Sequence, residues 1–322
     1  MIEPSPISIV ITTHHRPALL MQAISAINSQ SVLPREVVVV DDGFTLQATE
    51  IDDILKLSPL VRVHPVDHGG LSRARNIGAD DTTGRFILFV DDDDELTPIA
   101  IEELTRLGNV SPDAIALVGA CQPFSSSGGR AYRAHFPNPA TVRDDLWRRN
   151  QLSVGAVAVD RNTLRSVGGW DTDAPSAEDY LLWLKLSWCG AFAVSDRIVL
   201  RYRQHDGSMS MKGVQYFDLP EFKQAFRRNL PSLIRSRRED MVLTAIVRAQ
   251  GTEALWYLRR LILEGRFRDA IHLMPRFMRG TRIALQSPRR FLALCTAVYR
   301  TTIGSAATSV RRAVQRARLR PP

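Results

Sequence analysis

Phe86-Ile87-Leu88-Phe89-Val90-Asp91-Asp92-Asp93-Asp94 is a run of five apolar residues that ends in four consecutive aspartates. An apolar run without alternation marks a strand buried on both faces, as in a parallel sheet. Two earlier stretches follow the same plan. Ile7 to Thr12 is apolar and β-branched, and it leads through Arg16-Pro17 into an apolar-periodic run of Leu20, Ala23, Ile24 and Ile27; Val37-Val38-Val39-Val40 ends in Asp41-Asp42-Gly43. Gly69 to Gly84 is compatible with a helix, and Ile115 to Val118 reads as a fourth strand. Strands alternating with helices over short links predict an α/β fold around a doubly wound sheet, in which ligands sit outside the carboxyl ends of the strands. Both acidic clusters fall at such ends.

Four adjacent aspartates are costly to hold together, since like charges about 4 Å apart repel by about 4 kcal/mol at an effective dielectric of about 20. A divalent cation removes that cost, and an all-oxygen donor set favours Mg²⁺ or Mn²⁺. Along a strand Asp91 and Asp93 project to one side and Asp92 to the other, unless a turn begins there. The alternatives are a solvated acidic turn and the cap of a helix starting near Pro98. The second strand-end pair, Asp41-Asp42, weighs against both.

The 322 residues, 44% hydrophobic and 24% charged, exclude a disordered, collagen-like or coiled-coil chain and suit two domains. Cys121, Cys189 and Cys295 are odd in number and lack CxxC spacing, which reads as a reduced, cytoplasmic chain. Met1 to Ser8 lacks a basic cluster followed by an apolar run, which argues against a secretory signal, and no stretch of 18 apolar residues is present to span a bilayer. Ser125 to Pro139 and Ser166 to Asp179 read as loops, the second ahead of a helix from Tyr180 to Trp188, and Gly207 to Pro220 as a linker. The sequence has no GxxxxGK[ST] loop, no GxGxxG turn after the first strand and no HExxH pair, which argues against a P-loop enzyme, a standard dinucleotide dehydrogenase and a zinc site.

The assembled motifs resemble the family 2 glycosyltransferases of the GT-A fold. Ser8-Ile9-Val10-Ile11-Thr12-Thr13-His14-His15-Arg16-Pro17 resembles that family's opening strand and turn, and Glu36 to Gly43 its nucleotide-binding strand end. Leu71-Ser72-Arg73-Ala74-Arg75-Asn76-Ile77-Gly78 followed by Gly84 to Asp94 is similar to its ARNxG helix and DxD metal motif. Gly168-Gly169-Trp170-Asp171, Glu178-Asp179-Tyr180 and Tyr202-Arg203-Gln204-His205 resemble its acceptor-side motifs. The resemblance covers about residues 7 to 210, with five motifs in the family's order. It implies a GT-A catalytic domain over residues 1–215, with a nucleotide-sugar and metal half at 1–120 and an acceptor half at 121–215. It implies a nucleotide-diphosphate sugar donor, a UDP-sugar first among them. Asp42 would bond the base, with Thr12, Thr13, Arg16, Asp41, Arg75 and Asp92 also on the donor. Asp93 and Asp91 would hold the metal, the latter also near the ribose. Trp170, Asp171 and Glu178 would meet the acceptor, His205 the diphosphate, and Asp179 would be the base of an inverting transfer. Each has a plainer reading from its own residue type: Glu178-Asp179 as a helix cap, Trp170 as a core aromatic, Arg75 as an ion pair, His205 as a structural histidine. Phe44 stands where a Ser usually follows DDG, and His14-His15 where Tyr-Asn is usual, which bears on the donor's identity more than on the reaction.

The net charge of +8 conceals two opposite halves: 20 basic against 28 acidic residues up to Pro220, then 22 against 6 beyond it. The basic region 216–322 is helical in pattern, with apolar stripes such as Leu255, Leu258 and Ile262, or Ile303, Ala307, Val310, Val314 and Ala317. A basic amphipathic helix lies on an anionic membrane or docks on the acidic body; few aromatics interleave with the arginines, which disfavours nucleic acid. Membrane contact would place the chain peripherally on the inner face of the cytoplasmic membrane, beside a glycan or lipid-linked acceptor. Two function classes follow: a glycosyltransferase of cell-surface polysaccharide or similar glycan synthesis, and a non-catalytic nucleotide-sugar-binding scaffold that uses its basic tail for membrane or partner binding.

Overall fold

The computed structural model describes residues 5–125, 133–146, 150–173, 178–187 and 189–204, all within one compact unit of the chain. In chain order the elements are β1 (Ile7–Thr13), α1 (Pro17–Asn28), β2 (Glu36–Asp42), α2 (Ala48–Leu57), β3 (Val61–Val66), α3 (Leu71–Asp80), β4 (Phe86–Asp91), β5 (Glu95–Leu96), α4 (Ala100–Val110), β6 (Ala114–Ser125), α5 (Val142–Leu146), β7 (Val157–Asp160), α6 (Arg161–Ser166), α7 (Glu178–Leu186) and β8 (Ala191–Gln204). Among the described residues the strands form one sheet in the order β3-β2-β1-β4-β7-β6-β8-β5. The first four are parallel, while β7 runs against both β4 and β6, β8 lies parallel to β6, and β5 runs against β8. The chain winds outward from β1 through β2 to β3, then returns to lay β4 on the other edge of β1. The switch point therefore lies between β1 and β4, where a crevice opens at the strands' carboxyl ends.

The unalternating runs are buried on both faces, as their composition demands. Ile7, Ile9, Ile11, Val37, Val39, Phe86, Leu88 and Val90 pack with Leu20, Ile24 and Ile27 of α1, Ile54 of α2 and Ile101, Leu104 and Leu107 of α4. Val38 and Val40 point to the opposite face, against Ala74 of α3. There α3 lies almost flush on the sheet. A Cβ at Gly78 would stand 2.4 Å from Val10 Cγ1 and 3.0 Å from Val40 Cγ2, so a side chain here would lift the helix. Helix α1 starts with Pro17 in its first turn, where the missing N–H costs no hydrogen bond.

The structure extends the sequence reading in several places. Strand β3 contains Pro65 and sits at the sheet edge, the one place a strand tolerates it, and its mixed Val-Arg-Val-His-Pro-Val pattern hid it. The strand expected over Ile115 to Val118 runs on as β6 to Ser125, and Cys121 bridges to His135 in the stretch expected to be a loop. Helix α7 starts at Glu178, two residues before the expected Tyr180. The linker Gly207 to Pro220, the region 216–322 and His205 lie outside the described residues.

Candidate active site

Strand register assembles the site before any side chain is considered: Thr12 pairs with Asp91 and Thr13 with Asp41. Beyond β4 the chain turns, with Asp94 N donating to Asp91 O at 3.1 Å. That turn brings Asp91, Asp93 and Asp94 together, each with a carboxylate oxygen within 4.8 Å of the others. Asp92 points the other way and is buried, where it accepts from Thr13 Oγ1 at 2.7 Å. Arg16 lies 3.1 Å from Asp92 and donates to Asp93 at 2.8 Å. Arg203, from β8, clamps the turn: its backbone N donates to Asp94 Oδ1 at 2.8 Å, its Nε to Asp93 O at 2.7 Å and its Nη2 to Glu95 Oε1 at 2.6 Å. Burial drives the Asp92 carboxyl up to about 7 despite Arg16 and Thr13, and burial with Asp91 nearby drives Asp94 well above the usual carboxylate range. Carboxylates crowded this way at a partly dry strand end form an all-oxygen donor set suited to Mg²⁺ or Mn²⁺.

Beside this cluster, the end of β2 is held by backbone donors. Asp41 is fully buried and accepts from Thr45 N (2.9 Å), Thr45 Oγ1 (2.6 Å) and Leu46 N (3.0 Å), so its carboxylate anchors the turn rather than facing the crevice. Asp42 accepts from Gly69 N at 2.7 Å and Gly70 N at 3.0 Å, and His68 Nδ1 lies 3.0 Å from it, which ties β2 to the start of α3. His14 Nδ1 sits 2.6 Å from the Asp42 carbonyl oxygen and its ring is 4.7 Å from that of His68. Phe44 sits at φ 53° with its ring exposed above this corner.

Across the crevice, Arg75 is the joint of the site. Its side chain is 2% exposed, donating from Nη2 to Asp91 at 2.7 Å and from Nη1 to Glu178 at 3.0 Å. Burial opposes its charge, yet Asp91 and Glu178 outweigh that and raise its pKa further. The guanidinium lies 4.3 Å over the Trp170 ring, and Trp170, itself buried, packs edge-on against Phe89 and Trp183. Trp170 therefore supports Arg75 from behind instead of lining an open pocket. Asn76 fixes that support, donating from Nδ2 to Trp170 O (2.9 Å) and accepting Trp170 N on Oδ1 (2.8 Å). Asp171 accepts from Asp173 N at 2.9 Å.

Glu178 and Asp179 open helix α7. Asp179 Oδ1 accepts from Tyr180 N at 2.6 Å and Oδ2 from Asn150 Nδ2 at 2.9 Å. Burial and the neighbouring Glu178 raise its carboxyl to about 7, against the pull of Asn150, Tyr180 N–H and Arg75. The structure thus joins Asp91, Arg75, Glu178 and Asp179 in one network, with Asp93 and Asp94 beside Asp91, and places Thr12, Thr13, Arg16 and Asp42 around the same sheet end. Asn76, Arg203, Asn150 and His68 were not singled out from the sequence. Asn76 and Arg203 were present inside the ARNxG and YRxH stretches, so the motifs carried a signal for them; Asn150 lies in no motif.

Comparison with known proteins agrees with this geometry. The profile of the family described as Glycosyl transferase family 2 matches residues 8–158. The chain is 30% identical over 100 residues to an uncharacterized glycosyltransferase, YwdF, of Bacillus subtilis, covering 31% of this chain and 37% of that one. It is 30% identical over 128 residues to the glycosyltransferase GlyG of Streptococcus pneumoniae, covering 39% and 42%. The matched stretches span between 20% and 61% of the first curated relatives' own lengths. Among solved structures, S. aureus TarS 1–349 in complex with UDP-GlcNAc superposes with a TM-score of 0.61 at 17% identity, over 94% of this chain and 92% of that one. With its mixed sheet and switch-point carboxylates, the chain has the GT-A fold, and its residues 8–158 match the profile of glycosyl transferase family 2.

Proposed function

We propose that the protein is an inverting, metal-dependent glycosyltransferase that moves a sugar from a nucleoside diphosphate sugar to a hydroxyl acceptor in cell-surface glycan synthesis. The observation that carries this reading is the Asp91–Arg75–Glu178 bridge, which ties the carboxylate cluster at β4 to the start of α7, where Asp179 sits. The UDP-GlcNAc complex of TarS supports a UDP-sugar donor for this chain. Asp91 and Asp93, with Asp94 beside them, would hold Mg²⁺ or Mn²⁺. Bound there, the ion would neutralise charge on the departing diphosphate. Thr12, Thr13, Asp42 and the His14–His68 corner form the base and ribose side, and Arg16 stands ready for the diphosphate. Asp41 and Trp170 act from behind, through the β2 turn and Arg75.

Asp179 takes the proton of the acceptor hydroxyl as its oxygen bonds the anomeric carbon and the carbon–diphosphate bond breaks on the opposite face. One carboxylate suffices for that single displacement, and inversion follows. Residues 1–215 act as the catalytic domain and 216–322 as a basic region that keeps the enzyme at an anionic membrane near its acceptor. The test is a calorimetric screen of UDP, GDP, dTDP and CMP with Mn²⁺, Mg²⁺ or chelator, on wild type and Asp93→Ala, followed by transfer assays with the matching sugar nucleotides. Metal-dependent binding of one nucleotide, lost in Asp93→Ala, with turnover lost in Asp179→Asn, is the expected outcome. No nucleotide binding, or turnover retained in Asp179→Asn, would overturn it.

A further inference from the structure

Asn150 lies between α5 and β7, in the short stretch that leads into the turn Val154–Ala156, and no motif flags it. Its amide orientation is fixed by the fold. Oδ1 accepts from Leu152 N at 3.3 Å, a local side-chain turn, so the amino group must face the other way, and there it donates to Asp179 Oδ2 at 2.9 Å. The other carboxylate oxygen accepts from Tyr180 N at 2.6 Å, and the Tyr180 hydroxyl donates to Leu146 O at 2.6 Å, which ties the start of α7 to the end of α5. Both oxygens of Asp179 are thereby oriented by neutral donors, and each keeps a lone pair for an incoming hydroxyl.

Resting on the reading of Asp179 as the base, we infer that Asn150 is its positioning residue: the locked carboxamide fixes the carboxylate's rotation and favours its ionised form without cancelling its charge. A cation at this position would pair with the carboxylate and weaken it as a base, while an apolar residue would leave it free to rotate and harder to ionise. The charged groups around Asp179 are Glu178 beside it on α7 and Arg75 on α3, with Asp91 on β4 beyond Arg75. They act in opposite senses, and the Asn150 amide acts with Arg75 in favouring ionisation.

The experiment titrates Asp179 in the full-length, chelator-treated protein by NMR of isotope-labelled aspartate carboxyl carbons, with the Asp179 resonance assigned by its loss in Asp179→Asn. Asn150→Ala is expected to raise the Asp179 midpoint by about one pH unit. Near-isosteric Asn150→Asp is expected to raise it further, since two adjacent carboxyls share a proton. It also serves as the second variant should Asn150→Ala fail to fold. UDP affinity should stay within twofold in both. An Asp179 midpoint that stays put in a folded variant overturns the inference. The base reading fails separately, if Asp179→Asn retains transfer, and the two results are independent.

Discussion

The two sides of the crevice hold their carboxylates differently. On the β2 side, Asp41 and Asp42 are fixed largely by backbone N–H groups, Thr45 and Leu46 for one, Gly69 and Gly70 for the other. On the α7 side, apart from Tyr180 N on one Asp179 oxygen, Glu178 and Asp179 depend on side chains from distant parts of the chain, Arg75 at a separation of 103 residues and Asn150 at 29. Backbone donors come with the fold and hold a rigid, preset shape. Side-chain donors are removable one at a time, so the α7 side is where single substitutions should change chemistry without unfolding the sheet.

The largest expected effect tests that contrast at its centre. Asp179→Asn should lower transfer by about 10³-fold, the scale of a lost general base, while nucleotide affinity stays within twofold by calorimetry. A parallel loss of binding would show the two sides to be one unit. Next, Arg75→Met removes the joint and leaves Asp91 and Glu178 facing a buried apolar side chain. Unfolding free energy should fall by about 3 kcal/mol in urea titration, and Asp179 should titrate higher. A near-neutral result would mean the bridge is replaceable packing.

Gly78→Ala probes the opposite side, through the backbone. A methyl against Val10 and Val40 should cost about 2 kcal/mol of stability and lift α3 from the sheet, so nucleotide binding should weaken more than the transfer rate at saturating donor. The smallest effect is in pH dependence. Asp179 is held near 7 in the folded chain, above its ordinary value near 3.8, so it favours folding when protonated. That contribution is complete below about pH 4 and is lost as the pH rises through 7. Melting temperature in chelator should therefore fall between pH 5 and 8; Asp92 and Asp94, also raised by burial, act in the same sense, so Asp179→Asn should reduce that slope without removing it. An unchanged slope would place the titrating group elsewhere.

The same contrast explains what could be read from the sequence. Strands β1, β2 and β4 were legible because burial on both faces leaves long apolar runs, and their carboxyl-end aspartates were legible because charge stops those runs abruptly. Strand β8 shows no clean alternation, its 14 residues mixing buried and exposed positions, and β3 hides behind Pro65 at the edge. In the site, Asp91, Asp93, Glu178 and Asp179 stood out by clustering. The partner choices did not: nothing in spacing says that Arg75 faces Asp91 and Glu178 at once, that Trp170 carries the guanidinium, or that Asn150 reaches Asp179. Those are products of how β4, α3, β7 and α7 converge.

The Arg75 joint also constrains how this chain can be recombined. One guanidinium satisfies a carboxylate from each half, so a chimera joined to a relative anywhere between residues 92 and 177 inherits its two anions from different parents. Grafts that keep an acid at both positions should express as folded protein. Those that lose one leave a buried cation only half paired, and soluble yield across a crossover series would read that rule directly.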